Sequence, residues 1–580
     1  MKQTIEPASE KSGFTIRAVI IAIGLALFLL ASSSYIAIRM GALPWPIIFS
    51  VIVSGGIIKV LARARKVDIH EVNVAQAGGS IGGLVAAGIV FTVPGILYLN
   101  QTRGLEIAWP NPWILGLLTS MAGLLGILLS MPLKYAFIDR DKLPYPAGTA
   151  GAELLKLGKT GGRQLLMILI IGAAAAAFAL LRDIYFPAGF SIAALAALGF
   201  FVTFLPMPLA IGGGYILGPR AGLSWLAGAA IGWLVIIPIL IQTGFESESA
   251  KALAKNLGMG MVLGSGIGFF ASYVVPRLKS IFLPVFEAGS RYVRLLPFLA
   301  VASGALLVLA GVPPFAAVLT ILGVWVMVVV AARMTGETNI DPLEQFGIFV
   351  GLVIAFIYAS ASLDLSMYAS FMIVTFVSVA CAVAGDAGHD YKSAHIVGTR
   401  FFDIIKVDLI AVIFAGLAAP FVLEAIRKGF ESQLFTDIMP APQATLVAGS
   451  VFGFEYPKIF ITGFVVAFVG EILNSILPDK YKSKVLLMPM GIGLFLGLGL
   501  AIPLAVGSLI RAYIDQKYSH LYHAGILIAA GVMGGEGIAG FGFGALRTAG
   551  LGNEGGWVLL GMFGLIFVLG IVRLGGRKAA

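Results

Sequence analysis

Long, mostly apolar stretches with few or no charged residues recur along the whole chain, and short charged segments separate them. A helix needs about 20 such residues to cross a bilayer, and seventeen stretches approach that length. These candidate spans are 18–38, 45–62, 74–99, 112–132, 164–181, 189–210, 221–242, 257–276, 295–311, 315–332, 345–363, 366–385, 404–423, 457–477, 485–510, 521–545 and 556–572. The pattern predicts an all-α integral membrane protein that forms a single polytopic domain over residues 1–580.

The distribution of Lys and Arg orients these spans. Cations collect in alternate loops, at 63–66, 134–142, 277–294 and 480–484. The positive-inside rule assigns these loops and the N-terminus to the cytoplasm. Seventeen spans would leave the C-terminal cations outside, against that rule, so we expect one candidate to be broken or re-entrant, leaving about 16 transmembrane helices. The glycine-rich region 485–545 is the expected exception.

Two short motifs recur at about half the chain length. Arg39-Met-Gly matches Arg333-Met-Thr-Gly, and the motif at Pro208 matches the one at Pro489, with separations of 294 and 281 residues. Transporters are often built from two related halves. Halves of about 1–290 and 291–580 are therefore a hypothesis, and chance recurrence in a chain with 74 glycines is the alternative.

The composition excludes several other classes. Charged residues make up 12% of the chain, about half the soluble-protein value. The net charge of +10 reflects cations at helix ends and indicates no nucleic-acid partner, because no basic run is interleaved with aromatic residues. The single cysteine, Cys381, allows neither an intrachain disulfide nor a cysteine metal site. No phosphate-binding glycine loop or long hydrophilic domain is present, so we expect no cofactor and no direct use of ATP.

Charged side chains inside the membrane are costly and are therefore candidates for ion coupling. Glu536 lies among glycines in a long uncharged region, either at a broken helix or at a re-entrant tip in water. Glu471 interrupts an apolar run, where it pairs with a cation or lies near the interface. Glu153 falls in the early turns of a helix that begins after Pro144-Tyr-Pro, and a purely structural interfacial helix is the alternative.

Two polar segments are candidates for substrate binding. The segment from Arg333 to Pro342 contains Glu337 and Asn339, although Thr338 or Asn339 could simply cap the next helix. The segment from Gly385 to Lys392 brings two aspartates and a histidine together. That group could bind a metal ion, serve a proton relay or form a solvated turn. A third segment, the uncharged run that follows Asn73, is too long for one straight span, so it either kinks at Pro94 or tilts.

Together these segments resemble the oligopeptide transporter (OPT) superfamily, which includes yellow-stripe-like metal–chelate carriers. The matching pieces are Tyr35 to Gly41, Glu71 to Ser80 with Phe91 to Pro94, Leu143 to Ala150, Thr335 to Pro342, Asp386 to Arg400, and Gly534 to Gly537. One departure is the segment His389 to His395, which keeps Lys392 but lacks the small-residue pattern that follows it in the family. The resemblance implies about sixteen spans, uptake driven by a proton gradient, and peptides, peptide-like compounds or metal–chelates as substrates.

The sequence thus predicts a proton-coupled symporter, not an enzyme, that imports such compounds across a prokaryotic plasma membrane. The predicted substrate-binding residues are polar residues of the matching motifs, together with Tyr98 from the uncharged run that follows Asn73: Tyr35, Arg39, Asn73, Tyr98, Tyr145, Thr149, Glu337, Asn339, Asp386 and Lys392. The predicted ion-coupling residues are Glu536, Glu153 and Glu471. Sodium is an alternative coupling ion, and an ion-translocating membrane enzyme or a channel is the alternative function. A homo-oligomer is a further hypothesis.

Overall fold

The structure, a computed structural model, describes residues 10–43, 46–61, 67–156, 162–196, 198–277, 279, 295–478 and 485–576. Helices of the first part are α1 (Ile16–Met40), α2 (Pro46–Leu61), α3 (Ile69–Val90), α4 (Pro94–Arg103), α5 (Pro112–Ser130), α6 (Pro146–Lys156), α7 (Gly162–Tyr185), α8 (Ala193–Ala196), α9 (Pro208–Leu217), α10 (Pro219–Ala230), α11 (Ile237–Gln242) and α12 (Ser247–Phe269). Helices of the second part are α13 (Leu296–Leu309), α14 (Pro314–Thr338), α15 (Leu343–Ser360), α16 (Met367–Val397), α17 (Phe401–Gly429), α18 (Pro442–Phe452), α19 (Pro457–Ile476), α20 (Leu487–Leu496), α21 (Leu498–Lys517), α22 (Tyr522–Thr548) and α23 (Gly552–Gly576).

Smaller elements join these helices. Lys134–Arg140, Ile231–Ile236 and Phe270–Val274 are π-helical, and Val275–Arg277 and Ser519–Leu521 are 3₁₀ turns. Strands β1 (Phe190–Ser191) and β2 (Thr203–Phe204) form an antiparallel hairpin. In the described part of the chain, fourteen helices are long and apolar enough to cross a membrane, and four shorter apolar helices accompany them. The all-α membrane class is confirmed, whereas the number sixteen stays a prediction.

Most candidate spans become helices, but the candidate 189–210 does not. Glycines at 189 and 199, both with positive φ, turn the chain within this segment. Its described residues form the β1–β2 hairpin, the short helix α8 and, from Pro208, the first residues of α9. The helix is interrupted near Pro94, where the sequence predicts either a kink or a simple tilt, because residues 91–93 form a turn between α3 and α4. A proline cannot donate the backbone hydrogen bond that a continuous helix would need there.

Two helices of the bundle are broken in the same way. α9 ends at Gly218 (φ 84°, ψ 174°) and α10 begins with the next residue, while α20 ends at Gly497 (φ 75°, ψ −172°) before α21. This backbone conformation is essentially restricted to glycine. The short first segment of each broken helix packs on the second segment of the other. α9 packs on α21, and α20 packs on α10. The break in the region 485–545 therefore agrees with the sequence analysis, and its partner at Gly218 was not predicted.

The N-terminal residues cross one end of the bundle as a strap, which comprises residues 10–15. The N–H of Lys11 donates to the carbonyl of Gly398 at 3.0 Å, and the N–H of Arg400 returns a bond to Lys11 at 2.9 Å. The hydroxyl of Ser12 donates to Asp403 at 2.6 Å. The π-helix Lys134–Arg140 lies at the same end, where Asp139 contacts His395 at 3.4 Å. We call this the basic end. The cationic loops at 63–66 and 480–484 and most of 277–294 lie outside the described residues.

Candidate functional site

Three aspartates are buried side by side where α3, α16 and α17 pack together. Asp386 and Asp390 lie one turn apart on α16, and Asp408 comes from α17. Their exposed fractions are 2%, 0% and 0%, and the three carboxyl groups are close enough to interact electrostatically. We call them the acid cluster. The segment was expected to be a solvated turn in one interpretation. That interpretation is wrong, because α16 continues through it to Val397.

Neutral side chains of α3 supply the hydrogen bonds of this cluster. The hydroxyl of Ser80 lies 2.8 Å from Asp386 Oδ2 and 3.5 Å from Asp390 Oδ2. The amide of Gln76 donates to Asp390 Oδ1 at 3.0 Å. Since one hydroxyl reaches both carboxyl groups, Asp386 and Asp390 share a single donor at this point.

Acceptors outnumber donors in the acid cluster. Four oxygen atoms are buried and have no hydrogen-bond partner among the described residues: Asp386 Oδ1, both carboxyl oxygens of Asp408, and Gln76 Oε1. Among the described residues, no Lys or Arg forms an ion pair with any of the three aspartates. Buried carboxylates are normally paired or hydrogen-bonded, because an isolated one is strongly destabilised by desolvation. The cluster therefore favours an added proton or cation.

A chain of polar side chains links the acid cluster to the basic end. Gln76 Nε2 lies 3.3 Å from Asn73 Oδ1, and Asn73 donates to Thr399 at 3.0 Å. Thr399 in turn lies 3.1 Å from His70 Nδ1, beneath the strap. A β-carbon on Gly13 would collide with the carbonyl of His70, so the strap lies directly against the outer end of this chain.

A further acid and an aromatic residue border the cluster. Burial, with the neighbouring Glu344 and Asp386, raises the pKa of Asp341 well above its usual range, and both of its oxygens lack a partner. Asp341 lies against the backbone at Gly385. Tyr145 packs its ring against His389, with the ring centres 5.5 Å apart, and donates its hydroxyl to Ala332.

A second buried cluster lies toward the other end of the bundle and has balanced charges. It joins Arg39 of α1, Arg182 and Asp183 of α7, and Glu536 of α22. Arg182 donates to Glu536 at 2.6 Å and to Asp183 at 2.9 Å, and Arg39 lies 3.2 Å from Asp183. We call these four residues the arginine network. Its two cations and two anions cancel.

The N-terminus of a broken helix completes this network. The backbone N–H of Leu209, at the start of α9, donates to Glu536 Oε2 at 2.7 Å. A helix N-terminus carries free N–H groups and a partial positive charge, so it binds carboxylates well. Tyr35 adds its hydroxyl to Asp183 at 3.0 Å. Glu536 is thus held by an arginine and by a helix N-terminus on a continuous helix, not at a tip in water.

A family model described as "OPT oligopeptide transporter protein" matches residues 13–276 and 292–546 of this chain. The chain belongs to the oligopeptide transporter family. Both clusters lie within the matched residues. The membership confirms the resemblance drawn from the sequence motifs.

Curated members of the family differ in what their names say they carry. The chain is 24% identical to a "Putative oligopeptide transporter" of Haemophilus influenzae, over 94% of this chain and 99% of that one. It is 22% identical to a "Probable metal-nicotianamine transporter" of Oryza sativa subsp. japonica, over 73% and 71%. It is 23% identical to an "Iron-phytosiderophore transporter" of the same plant, over 73% and 72%. This family member is therefore similar to transporters of both kinds.

The fold gathers some of the predicted site residues of this transporter and separates others. Tyr35 and Arg39 meet Glu536 at the arginine network, and Asn73 joins Asp386 through Gln76. Three others lie apart from both clusters. Glu471 accepts a bond from Ser265 at 2.6 Å, Glu153 is exposed on α6, and Tyr98 packs edge-on against Phe435.

Four predicted residues lie at the basic end instead. The first, Glu337, accepts a bond from Arg333 at 2.7 Å, and Arg333 also pairs with Asp141. Burial raises the pKa of Asp141, but hydrogen bonds from Arg140 and Arg333 outweigh it, and the net shift is downward. Asn339 ends α14 with φ 61° and accepts a bond from the N–H of Ala147 at 3.1 Å. The remaining two are Thr149, which bonds the carbonyl of Pro144, and Lys392, which is half-buried.

The sequence analysis was wrong about one helix cap and missed several members of the two clusters. The alternative that Thr338 or Asn339 caps the following helix is wrong, because Pro342 precedes α15 without a side-chain cap. The candidate span 164–181 stops short of Arg182 and Asp183, but α7 extends through both and buries them. Asp408 was visible as a charge inside the apolar stretch 404–423, and that signal could have identified it.

Proposed function

We propose that this chain is a secondary active transporter that imports an oligopeptide or a metal–chelate complex across the plasma membrane together with protons. Membership of the family supports a transport function, and the names of the relatives suggest the two substrate classes. The observation that carries the coupled mechanism is the reciprocal packing of the two broken helices. The following contacts support two halves with opposite orientation.

The broken helices exchange equivalent contacts. The carbonyl of Leu504 on α21 faces Gly214 on α9, and the carbonyl of Trp225 on α10 faces Gly493 on α20. The separation from Gly214 to Gly493 equals that from Trp225 to Leu504 and from Gly218 to Gly497. A rotation that superposes one broken helix on the other would therefore exchange these contacts. The register is two residues shorter than the one predicted from the proline motifs.

A second pair of contacts has the same symmetry. The carbonyl of Ile38, in the last turn of α1, accepts a bond from the N–H of Ala441, just before α18, at 2.9 Å. The carbonyl of Gly336, in the last turn of α14, accepts a bond from the N–H of Tyr145, just before α6, at 2.8 Å. α1 runs away from the basic end, since the strap precedes it, whereas α14 runs toward that end, where Arg333 meets Asp141. The two helices are antiparallel, which is the relation expected of inverted halves.

Inverted halves give a transporter two equivalent packings, one open to each side of the membrane. A bound ion that stabilises one packing more than the other shifts this equilibrium. Each charge that crosses 100 mV supplies about 2.3 kcal/mol, which is enough to concentrate a solute. The broken helices are the elements that we expect to rearrange, because their backbone hydrogen bonds are already interrupted.

The proposal is tested in proteoliposomes with an imposed pH gradient, acid outside. Tetra-alanine and iron–nicotianamine are the probes, and at least one should accumulate above its external concentration until a protonophore collapses the gradient. Uptake that only equilibrates, with or without the gradient, would indicate a channel. Gly218→Ala should slow accumulation because it strains the break. Gly104→Ala is the matched control, since Gly104 also has positive φ and open space but lies outside the broken helices.

A further inference from the structure

We infer that Asp386 and Asp390 together bind the coupling proton, with Ser80 and Gln76 as the neutral groups that position it. The inference rests on the proposed function and deepens it, because it assigns the ion to the acid cluster and not to Glu536. It also places the proton where α3, from the first half of the chain, contacts α16 and α17, from the second half.

The balance of donors and acceptors is the first support. The single hydroxyl hydrogen of Ser80 has two carboxyl groups and the carbonyl of Ala77 within reach, and the amide hydrogens of Gln76 are directed to Asp390 and Asn73. Gln76 Oε1 is fully buried beside the pair, and no described residue donates a hydrogen bond to it. Two carboxylates and an amide oxygen with so few donors between them would repel one another. One added proton on the pair supplies the missing donor and removes one negative charge.

The charges around the pair are the second support. The ionisable groups that surround it are Asp408 on α17, His389 and Tyr391 on α16 itself, Asp341 and Glu344 from the start of α15, and Tyr145 before α6. Acids dominate this set, and in the described part of the chain no Lys or Arg pairs with the two aspartates. The arginine network is the contrasting case, where each carboxylate already has a cation.

The ligand geometry favours a proton over a metal ion. Within the described ranges, no group of three or more His, Cys, Asp or Glu side chains is arranged so that it could hold a metal ion. Gln76 also presents its N–H to Asp390, and a cation would need an oxygen there. The metal interpretation of this segment is therefore not supported. A proton needs only the pair itself and leaves the existing bonds of Ser80 and Gln76 in place.

The polar chain toward His70 gives the pair a route to the basic end. It passes through Gln76, Asn73 and Thr399, all buried. A conformational change that admits water along this chain would expose the pair to the solution at that end. The strap, which packs on His70, would have to move for this to happen.

The test compares Asp386→Asn and Asp390→Asn with Asp364→Asn, an exposed acid just before the other end of α16. Infrared absorption of protonated carboxyl groups in purified protein at neutral pH should weaken in both pair variants and stay unchanged in the control. In proteoliposomes, both pair variants should lose accumulation of the probe that the wild type concentrates, while exchange of that probe persists. An unchanged infrared band together with normal pH-driven accumulation would overturn the inference.

The infrared measurement needs no substrate, so it separates this inference from the proposed function. If the wild type concentrates neither probe but the band depends on Asp390, the transport proposal fails and the proton site stands. If a pair variant does not fold, Ser80→Ala replaces it, since this change removes the shared donor and keeps both acids. Ser80→Ala should shift the pH dependence of uptake or of the infrared band. A profile identical to that of the wild type would count against the site.

Discussion

Glu536 and Asp390 are both completely buried in the membrane bundle, but their partners differ. Glu536 has a guanidinium at 2.6 Å and a helix N–H at 2.7 Å. In the described part of the chain, the side chains that bond Asp390 are Gln76 and Ser80, which are neutral. An adjacent cation favours the charged form of an acid, whereas burial without one favours the protonated form. The two acids therefore suit different tasks. Glu536 suits a fixed structural link, and Asp390 suits the reversible binding of a proton.

Neutralising Glu536 should destabilise the fold before it affects coupling. Glu536→Gln leaves Arg182 buried with one fewer anion, and loss of one partner of a buried ion pair costs about 3–5 kcal/mol. We expect a lower melting temperature in detergent and partial recovery in the double variant Glu536→Gln/Arg182→Gln. Thermal unfolding monitored by size-exclusion chromatography measures both. A single variant that is as stable as the wild type but cannot accumulate substrate would restore Glu536 as the coupling acid.

Asp341 gives a pH-dependent prediction for stability. Its pKa is raised in the folded protein by burial, then by Glu344 and Asp386, so the folded state binds this proton more tightly than the unfolded state. Its effect on stability is therefore favourable at acid pH and is lost as the pH rises above the unfolded value of about 3.9. Asp341→Asn should raise the melting temperature more at about pH 8 than at about pH 5. An equal change at both values would contradict this.

At the scale of elements, the apolar pattern predicted most helices correctly because a membrane span has to be long and uncharged. It failed where the same composition folds differently. Residues 189–210 are as apolar as a span but contain two positive-φ glycines, and α16 runs past Asp386 because its partners α3 and α17 bury it. The arginine network was only half predicted, since Arg182 and Asp183 belong to a helix end that composition does not distinguish from a loop.

The strap provides the prediction at this scale. Gly13→Val should displace the strap, since a side chain there would collide with the carbonyl of His70. In a Cys381→Ser background, a cysteine at Asn73 should then react faster with a maleimide reagent, because the polar chain opens to solvent. Gly24→Ala is the matched control, since nothing lies within 4 Å of its β-carbon position.

A cross-link gives the reverse test of the strap. Cysteines in place of Ser12 and Asp403, whose side chains are in contact, should lock it by a disulfide. Labelling of the cysteine at Asn73 should then slow under oxidising conditions and recover when reductant is added. Equal labelling in the Gly13→Val variant, the control and the locked protein would mean that the strap does not cover the polar chain.

At the scale of the whole molecule, the two ends of the bundle differ in charge and in the helices that terminate there. The basic end holds the strap, the start of α3, the Lys134–Arg140 π-helix and the ends of α14 and α16. α15 begins at that end and finishes at the opposite one, and α3 together with α4 does the same. The charge bias predicts a cytoplasmic basic end. The inverted relation requires that α1 and α14 cross in opposite directions, whichever end is cytoplasmic.

Cysteine labelling in intact cells tests both statements at once. Exposed positions at the basic end are Lys142 and Arg400, and exposed positions at the opposite end are Glu106 and Asp364. In a Cys381→Ser background, an impermeant maleimide should label Glu106→Cys and Asp364→Cys in intact cells, and Lys142→Cys and Arg400→Cys only after permeabilisation. If the labelling pattern is reversed at all four positions, the molecule has the opposite orientation in the membrane, but its halves are still inverted. Labelling of Lys142→Cys and Arg400→Cys from opposite sides would contradict the antiparallel arrangement, because Arg400 marks the start of α1 and Lys142 lies beside the end of α14.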